Sequence, residues 1–357
     1  MSRKTNISII GTVGVPACYG GFESLVENLL DYTPENVQYT VFCTAKKYSE
    51  KLESYKCAKL VYLDLDANGM DSIMYDYKSM KMSLDADIML VLGVSGCMFL
   101  PFIRRKFKGK IITNIDGLEW KRDKWNPLAK WLLHYSEKQA VKYSDVVIGD
   151  NKGITDYVKE TYKKDAVLIA YGGDHVTKVQ DDSLYKKYPY MKNPYAVTVC
   201  RIEPENNVHK IIEAFSRTPE KQLVIVGNWK NSKYGSDLKE KYSGYENVHL
   251  LDPIYESHEI NWIRSNSSLY VHGHSAGGTN PSLVEAMNFG LPILAFDCVY
   301  NRATTQDECL YWSTEEDIID LVNNSEFKFD AIANKMKELG SKDYAWEKIA
   351  KQYNDLW

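Results

Sequence analysis

The feature that most constrains the fold of this chain is a regular alternation of apolar, strand-like runs with helical patterns, which occurs in two successive series. The first series comprises Ile7–Gly11, Tyr39–Thr44, Leu60–Leu65, Ile88–Gly93, Lys110–Asp116 and Val146–Asp150, and the second comprises Tyr195–Arg201, Gln222–Gly227, Val248–Leu251, Leu269–His272 and Pro292–Phe296. Between them, apolar residues recur at helical spacing, as at Phe22, Leu25, Val26, Leu29 and Leu30. Strands that alternate with helices form parallel sheets. The sequence therefore predicts an α/β chain with two Rossmann-like, doubly wound parallel sheets.

A polar tract over residues 176–194 separates the two series and is typical of a linker. We predict an N-terminal domain over residues 1–178, a C-terminal domain over residues 179–340, and a last helix over residues 341–357 that packs back towards the N-terminal domain. A length of 357 residues is sufficient for two full cores. Because ligands of doubly wound sheets bind at the carboxyl ends of the strands, the predicted site lies in a cleft between the two domains.

Composition limits the classes of protein to which the chain can belong. The net charge of −4 gives no indication of a polyanionic partner, and the seven cysteines never occur in C-x-x-C spacing. Such cysteine usage is typical of reduced thiols in the cytoplasm and argues against a disulfide framework or a zinc site. The first strand-like run begins at Ile7, so no signal peptide is expected. The longest apolar run, Ile88–Ile103, is too short to span a bilayer.

The segment that follows the strand-like run at 269–274 carries the most informative functional signal. It reads Gly277, Gly278, Thr279, Asn280, Pro281 and Ser282, with Glu285 just over one turn into a predicted helix. Asn280 is suited to cap this helix and Pro281 to begin it. Glycines allow a ligand to approach the backbone closely, and the N–H groups at a helix start favour an anion. With Glu285 as acceptor for vicinal hydroxyls, such as those of a ribose, the segment indicates a nucleotide site. The alternative is a plain capped helix after a buried strand.

A second glycine-rich turn follows the first strand. Its glycines are Gly11, Gly14, Gly20 and Gly21. They do not have the spacing of a dinucleotide fingerprint, which requires glycine where this chain has Val13 and Pro16. The long loop is suited to close over a pyrophosphate or an acceptor sugar. A tight turn with a close helix approach is the alternative.

Four motifs, spread over most of the chain, resemble those of a known family. They are Pro16–Glu23 (PACYGGFE), Asp116–Arg122 (DGLEWKR), Cys200–Asn206 (CRIEPEN) and His272–Ser282 (HGHSAGGTNPS). As a set they are similar to motifs of GT-B glycosyltransferases, and more narrowly to the retaining family-4 group of bacterial polysaccharide rhamnosyltransferases, the β-1,4-rhamnosyltransferase group. The resemblance implies an N-terminal domain that binds the acceptor, a C-terminal domain that binds a nucleotide sugar, and no metal or other cofactor.

The resemblance also assigns donor-binding roles to matching positions of the second domain. The family has an arginine after the first strand of this domain and a lysine five residues on, both on the donor diphosphate, and these positions are Arg201 and Asn206 here. Two glutamates of the family, eight residues apart, correspond to Gly277 and Glu285. The resemblance therefore implies that Arg201 binds the donor diphosphate and that Glu285 binds the ribose. The absence of a glutamate at Gly277 is consistent with transfer of a 6-deoxy sugar.

Acidic residues of the first domain are the candidates for the acceptor side. Asp116 ends a strand-like run and precedes Gly117, a position suited to bind or deprotonate an acceptor hydroxyl. A turn aspartate that caps the next segment is the alternative. Glu119 in the same loop and Glu23 at the first helix are further acceptor-binding candidates. In a retaining front-face transfer the departing phosphate itself accepts the proton, so catalysis is mainly electrostatic and the catalytic candidates are Asp116, Arg201 and Glu285.

Residues 102–133 form a basic segment that is rich in tryptophan. Between Phe102 and Lys130 there are nine basic and three acidic residues, and Trp120, Trp125 and Trp131 interleave with them. Basic residues beside interfacial tryptophans favour peripheral docking on an anionic membrane, here the inner face of the cell membrane. A lipid-linked glycan acceptor would be within reach of such a face. A solvated basic face over a packed helix is the alternative, and no motif indicates nucleic-acid binding.

The predicted function is transfer of a sugar to a lipid-linked or polysaccharide acceptor in cell-surface glycan synthesis. The sugar predicted first is L-rhamnose, transferred from dTDP-L-rhamnose with retention of the anomeric configuration. A nucleotide-sugar epimerase of the same architecture and a non-catalytic nucleotide-sugar binder remain alternatives. An NAD-dependent oxidoreductase ranks lower because the fingerprint glycines are missing. No metal role is expected for Asp64–Asp66 or Asp85–Asp87, whose Asp-x-Asp pattern arises easily by chance. His272 and His274 share one strand face and are suited to bind a sugar hydroxyl rather than zinc.

Overall fold

A computed structural model of the chain describes residues 3–18, 20–122, 125–324 and 329–357. The chain divides into two compact units. Unit 1 comprises the chain up to Tyr171 together with Trp346–Trp357, and unit 2 comprises Gly172–Ala345. The chain therefore passes from unit 1 to unit 2 after residue 171, before the predicted boundary at residue 178. Its return to unit 1 begins at residue 346 rather than at residue 341.

Unit 1 is built on a mainly parallel sheet whose strands alternate with helices. Its strands are β1 (Thr5–Ile10), β2 (Val37–Thr44), β3 (Ser54–Tyr55), β4 (Ala58–Leu63), β5 (Ile88–Leu92), β6 (Lys110–Asn114), β7 (Val146–Gly149) and β8 (Val167–Leu168). Its helices are α1 (Gly20–Asp31), α2 (Ser72–Met82), α3 (Leu100–Ile103), α4 (Pro127–Tyr143), α5 (Lys152–Tyr162) and α13 (Trp346–Asn354). The strand order is β3-β4-β2-β1-β5-β6-β7-β8, and the β3–β4 pair is antiparallel.

The core of unit 1 follows from the periodicities of its sequence. Every residue of β5 is buried, as expected for a parallel strand that is covered on both faces. Helix α1 buries Leu25, Val26, Leu29 and Leu30, four of the five apolar residues predicted from their spacing, and leaves Phe22 half-buried. The strand order reverses between β1 and β5, so the loops at the carboxyl ends of these strands border the crevice in which such sheets bind ligands.

Unit 2 is a parallel sheet with the same alternation. Its strands are β9 (Tyr195–Val199), β10 (Gln222–Val226), β11 (Val248–Leu251), β12 (Leu269–His272), β13 (Ile293–Phe296) and β14 (Leu310–Trp312). Its helices are α6 (Val208–Ser216), α7 (Lys233–Tyr242), α8 (Ser257–Ser265), α9 (Pro281–Phe289), α10 (Val299–Thr305), α11 (Glu315–Asn323) and α12 (Phe329–Asp343). The order β11-β10-β9-β12-β13-β14 reverses between β9 and β12.

The polar tract at 176–194 lies within unit 2 rather than between two cores. Tyr188 and Met191 of this tract are buried, and the backbone N–H of Val179 donates to Ser265 Oγ at 3.2 Å. The tract is therefore fixed to α8 by contacts that its composition does not indicate. Among the described residues, no helix combines the length and the apolar composition that crossing a bilayer requires.

Candidate active site

The start of α9 has the capped geometry that the sequence predicts. Asn280 has extended backbone angles, its side-chain Oδ1 accepts a hydrogen bond from Ser282 N at 3.0 Å, and Pro281 is the first helical residue. Gly277, three residues before the cap, has a φ of +101°, which L side chains rarely adopt. Pro281 has no N–H, and the N–H groups of residues 282–284 are bonded to Asn280. The attraction of this helix start for an anion therefore comes from the positive end of the helix dipole.

The loop before α9 lies beside the loop that carries Arg201. Strands β9 and β12 are paired neighbours, with Val197 opposite Tyr270. Hydrogen bonds join the two loops that follow these strands: His274 Nδ1 to Asn206 Oδ1 (2.7 Å), Asn207 Nδ2 to Gly273 O (2.9 Å), and both N and Oγ of Ser275 to Glu205 O (2.9 Å each). A Cβ atom at position 273 would lie 2.0 Å from Asn206 O. Gly273 is therefore what allows the two loops to meet at the carboxyl edge of the sheet.

Arg201 and Asn206, both predicted to bind the donor, differ in environment. The Arg201 side chain is 49% exposed, with its Nε 3.8 Å from Glu203 Oε2. Asn206 is buried, and its Nδ2 donates to Arg201 O at 2.7 Å while its Oδ1 contacts His274. Asn206 thus fixes the backbone of the Arg201 loop. Arg201 presents an exposed guanidinium suited to phosphate oxygens, whereas a direct contact from Asn206 to the donor stays a prediction.

The carboxylate of Glu285 is held by two basic side chains that the sequence analysis missed. Its Oε2 lies 2.6 Å from Arg264 Nη1, and its Oε1 lies 3.3 Å from His175 Nε2. Burial opposes ionisation of Glu285, but the charge of Arg264 and the hydrogen bond from His175 outweigh it and lower the pKa of Glu285. The group is therefore a fixed anion with lone pairs left for ligand hydroxyls. No local spacing connects residues 175 and 264 with the motif, so sequence alone had no signal for them.

Two aromatic side chains of β12 lie on the opposite strand face from the core residue Val271. Burial raises the pKa of Tyr270, although a hydrogen bond with Ser282 of α9 acts in the opposite direction and lowers it. His272 is buried, its ring centroid is 5.8 Å from that of Tyr270, and its Nε2 has no hydrogen-bond partner among the described residues. Burial lowers the pKa of His272 to about 3, so the ring is neutral. His272 is the better placed of the two predicted histidines to bind a hydroxyl, because His274 is bonded to Asn206.

The glycine-rich loop of unit 1 is braced by Glu23. The Glu23 carboxylate is buried and accepts hydrogen bonds from Thr12 Oγ1 (2.8 Å) and Val13 N (2.6 Å). Burial raises its pKa despite these hydrogen bonds. Gly14 and Gly20 have φ values of +127° and +73°, and Gly20 and Gly21 are the first residues of α1. The structure thus gives Glu23 a loop-bracing role, and acceptor binding by Glu23 stays a prediction. Tyr19 of the same motif lies outside the described residues.

Asp116 follows β6 in a left-handed conformation with a φ of 55°. Its backbone N–H donates to Asn114 Oδ1 at 3.0 Å, and Asn114 Nδ2 donates to the hydroxyl of Tyr353 in α13 at 2.9 Å. Burial and the charges of Asp116, Asp150 and neighbouring groups raise the pKa of Tyr171. A non-glycine residue with positive φ is uncommon, and such strain is concentrated at functional sites. Asn114 and Tyr353 are further residues that sequence reasoning did not identify.

Glu119, the other acceptor candidate, is engaged inside its own loop. Its Oε1 accepts from Trp125 Nε1 at 3.1 Å, and its Oε2 lies 2.9 Å from Arg122 Nε. Arg122 is only 10% exposed, so this pair is largely internal. The geometry gives Glu119 a role in holding the 116–125 loop together, and its contact with an acceptor stays a prediction.

The two Asp-x-Asp segments, for which no metal role is expected, lie at the surface. Asp64 pairs with Lys46 at 3.6 Å and Asp87 with Arg3 at 2.7 Å. Within the part of the chain that the structure describes, no group of three or more His, Cys, Asp or Glu side chains is arranged to hold a metal ion.

Family comparison divides the chain in the same region as the fold does. Residues 4–174 match a family described as a domain of unknown function, DUF1972. Residues 180–323 match the family described as glycosyl transferases group 1. An uncharacterized glycosyltransferase of Methanocaldococcus jannaschii is 22% identical over 207 residues, which cover 53% of this chain and 50% of that protein. The chain spans about half the length of the curated relatives it matches.

The two parallel-sheet units have the fold of the GT-B glycosyltransferases, which confirms the predicted fold class. Sucrose-phosphate synthase from Thermosynechococcus elongatus superposes with a TM-score of 0.82 at 15% identity, covering 99% of this chain and 98% of that one. Anabaena HepE in complex with UDP gives 0.76 at 14% identity and 99% of each chain, and it is also solved with UDP-glucose. A putative UDP-N-acetylglucosamine 2-epimerase from Listeria monocytogenes gives 0.63 at 17% identity, covering 99% and 95%.

Proposed function

We propose that the chain is a glycosyltransferase that uses a nucleoside-diphosphate sugar. The observation that carries the proposal is the joining of two loops at the carboxyl edge of the unit 2 sheet. One loop presents the exposed Arg201 guanidinium, and the other leads to the capped start of α9. The match of residues 180–323 to glycosyl transferases group 1 supports it, as do neighbours solved with UDP and UDP-glucose.

In this proposal the site catalyses transfer by stabilising the departing diphosphate. The bond between the anomeric carbon and the diphosphate oxygen breaks, and a bond from the anomeric carbon to an acceptor hydroxyl oxygen forms. The hydroxyl proton passes to the departing phosphate on the same face, so the configuration is retained and no protein nucleophile is required. Arg201 and the positive end of the α9 dipole offset the charge that develops on the leaving group. Glu285, held charged by Arg264, binds the ribose hydroxyls.

L-Rhamnose from dTDP-L-rhamnose is the sugar that fits the pattern best. Position 277 carries glycine, so no carboxylate is present where the resembling family uses one to bind the transferred sugar. A 6-deoxy sugar has one hydroxyl fewer to satisfy. The Nε2 of His272, which is neutral and has no hydrogen-bond partner within the described part of the chain, is a candidate for one of the remaining hydroxyls.

The acceptor in this proposal is a lipid-linked or polysaccharide glycan that binds unit 1. Asp116 is held in a strained conformation by Asn114, and it supplies the carboxylate that orients the acceptor hydroxyl. A lipid-linked acceptor would place the reaction at the inner face of the cell membrane.

A donor screen with matched variants tests the proposal. The purified chain is offered dTDP-rhamnose, UDP-glucose and other nucleotide sugars with extracted acceptor lipids, and the release of nucleoside diphosphate is measured. Arg201→Ala should weaken nucleoside-diphosphate binding by tenfold or more, since a charge-assisted bond to phosphate contributes about 1.5–3 kcal/mol. Arg217→Ala is the control, because Arg217 is a 48% exposed arginine of the same unit that pairs with Glu316. Equal affinity of both variants would remove the site assignment.

An epimerase is the second candidate, favoured by the structural match to the Listeria protein. An epimerase changes the donor sugar in the absence of any acceptor. A transferase releases nucleoside diphosphate and attaches the sugar to the acceptor. Chromatography of the labelled sugar nucleotide after incubation without acceptor separates the two functions.

A further inference from the structure

Helix α4 presents a stripe of exposed apolar and aromatic side chains on the surface of unit 1. Leu128, Trp131 and Tyr135 are 67%, 61% and 41% exposed, and they recur at i, i+3 and i+7 on one helix face. The rings of Trp131 and Tyr135 stack with centroids 6.0 Å apart. We call these three residues the α4 stripe. Large exposed apolar side chains grouped on one face indicate an interaction site rather than chance exposure.

Basic side chains continue the stripe and flank it. Lys138 and Lys142 follow Tyr135 at i+3 and i+7 on the same face, and both are exposed. On one flank, α3 packs against α4 and exposes Phe102, with the Arg105 guanidinium 5.7 Å from the Phe102 ring centroid. The exposed Lys106 and Lys108 follow in the same segment. On the other flank, Lys121 Nζ lies 5.4 Å from the Trp120 ring, which packs against His134 of α4.

The acidic side chains near this surface are paired with other side chains of unit 1. Glu137 of α4 is buried and accepts hydrogen bonds from Trp120, Tyr157 and Tyr162. Asp145 pairs with Arg104 at 2.7 Å. The exposed charge around the stripe is therefore predominantly positive. The structure also narrows the predicted basic segment: Arg122 is largely buried against Glu119, and Asp123 and Lys124 lie outside the described residues.

We propose that the α4 stripe and its basic flanks dock unit 1 on an anionic phospholipid bilayer. Aromatic rings and leucine are suited to the boundary between headgroups and acyl chains, and lysine and arginine are attracted by anionic headgroups. The combination of the two on one face fits a membrane surface better than either a soluble polyanion or an apolar protein groove. The inference deepens the proposed function, on which it rests, because it specifies how the chain reaches a lipid-linked acceptor.

Vesicle flotation with the full chain tests this docking. Vesicles of phosphatidylcholine alone are compared with vesicles that contain phosphatidylglycerol as a minor component, each at low and high salt. We expect binding to the anionic vesicles that weakens with salt. Introduction of negative charge into the stripe, as Leu128→Glu with Trp131→Glu, should reduce vesicle affinity by roughly tenfold or more. Lys138→Ala should reduce it by about fivefold, the loss of one membrane-surface lysine.

Matched substitutions of exposed residues elsewhere in unit 1 serve as controls. Met82→Glu changes a 55% exposed apolar side chain of α2, and Lys51→Glu changes an exposed lysine, so neither should affect flotation. Circular dichroism and thermal unfolding verify that the stripe variants fold. The proposal is overturned if the wild-type chain ignores anionic vesicles, or if stripe and control variants float equally well. It is also overturned if light scattering shows a dimer that the stripe variants dissociate.

The docking inference and the proposed function fail in distinguishable ways. Binding of nucleoside diphosphate in solution requires no vesicles, and the stripe variants should retain it. If the chain binds nucleoside diphosphate but does not float with anionic vesicles, only the docking inference fails. Flotation without any response to nucleotide sugars would leave the surface in place and remove the glycosyltransferase proposal.

Discussion

Glu285 is held between two basic side chains that are remote from it in sequence. Arg264 is the last-turn arginine of α8, and His175 lies in the segment that enters unit 2. The sequence motif predicts the glutamate because it is local to a helix start. It does not predict the partners, since an ion pair between distant segments depends on how α8 and α9 pack. The charge and orientation of Glu285 are therefore properties of the folded unit rather than of the motif.

Arg264→Met tests this dependence. Glu285 would remain largely buried with only His175 beside it, and breaking a buried pair costs about 3–5 kcal/mol of unfolding free energy. Donor affinity should fall as well, because the carboxylate loses its fixed orientation. Urea unfolding and nucleotide-sugar titration measure the two effects. Combining Arg264→Met with Glu285→Gln should recover part of the stability but none of the affinity. Unchanged donor affinity in Arg264→Met would contradict the positioning role.

Asp76 of α2 is a second residue whose behaviour depends on burial. Its Oδ2 accepts a hydrogen bond from Gly96 N at 2.9 Å, and its Oδ1 has no hydrogen-bond partner among the described residues. Burial raises the pKa of Asp76 to about 7, although the hydrogen bond from Gly96 N acts in the opposite direction and lowers it. The folded state therefore binds this proton more tightly than the unfolded chain does. The contribution of Asp76 to unfolding free energy falls as pH rises from about 4 to about 7.

Asp76→Asn should remove this pH dependence. The amide oxygen can still accept from Gly96 N, and the group no longer ionises. Between pH 5 and pH 8, the stability of the variant relative to wild type should rise by on the order of 3 kcal/mol. Urea unfolding of both proteins at the two pH values gives the difference directly. A stability difference that is the same at both pH values would show that Asp76 does not titrate in this range.

At the scale of secondary-structure elements, the long strands and the α9 cap were predictable because their signals are local. Apolar runs located β1, β5 and β9, and the sequence Asn280-Pro281 located the start of α9. Strands β3, β8 and β14 were missed because two or three residues show no periodicity. Whether the helix start forms an anion site with Arg201 could not be read from either segment. It depends on the bonds between the loops, including that of Asn206 with His274, and on Gly273.

Removal of the α9 cap is expected to affect donor binding and stability together. Asn280→Ala removes the acceptor for Ser282 N and should cost about 1 kcal/mol of unfolding free energy. Because the cap also fixes the loop that enters α9 at the proposed anion site, nucleoside-diphosphate affinity should fall. Asn151→Ala removes the equivalent cap of α5 in unit 1, where Asn151 Oδ1 accepts from Gly153 N at 2.9 Å. This control should lose similar stability with nucleotide affinity unchanged. Equal affinities for the two variants would argue against an anion site at α9.

At the scale of the whole molecule, the chain returns to unit 1 after completing unit 2. The final residues 346–357 make contacts along the first sheet: Trp357 packs edge-on against Tyr39 with centroids 6.4 Å apart, and Lys110 Nζ donates to Leu356 O at 2.5 Å. Tyr353 accepts from Asn114, which in turn holds the backbone of Asp116. The sequence analysis predicts a last helix, but it does not predict the bond of this helix to the residue that positions Asp116. That contact joins residues 239 positions apart.

Tyr353→Phe tests whether the C-terminal segment positions Asp116 for the proposed transfer. The substitution keeps the ring and leaves Asn114 Nδ2 buried without this acceptor, which costs about 1–3 kcal/mol. With the Asp116 loop less constrained, kcat should fall on the order of tenfold, since small misplacements of a reacting group slow reactions strongly. Donor affinity should not change, because Arg201, Glu285 and the start of α9 belong to unit 2. Tyr344→Phe is the control: it removes a buried hydroxyl bonded to Thr304 O at 2.8 Å in unit 2. Equal kcat values for the two variants at equal stability would show that Tyr353 is structural only, whereas a selective loss in Tyr353→Phe would show that the last helix positions Asp116.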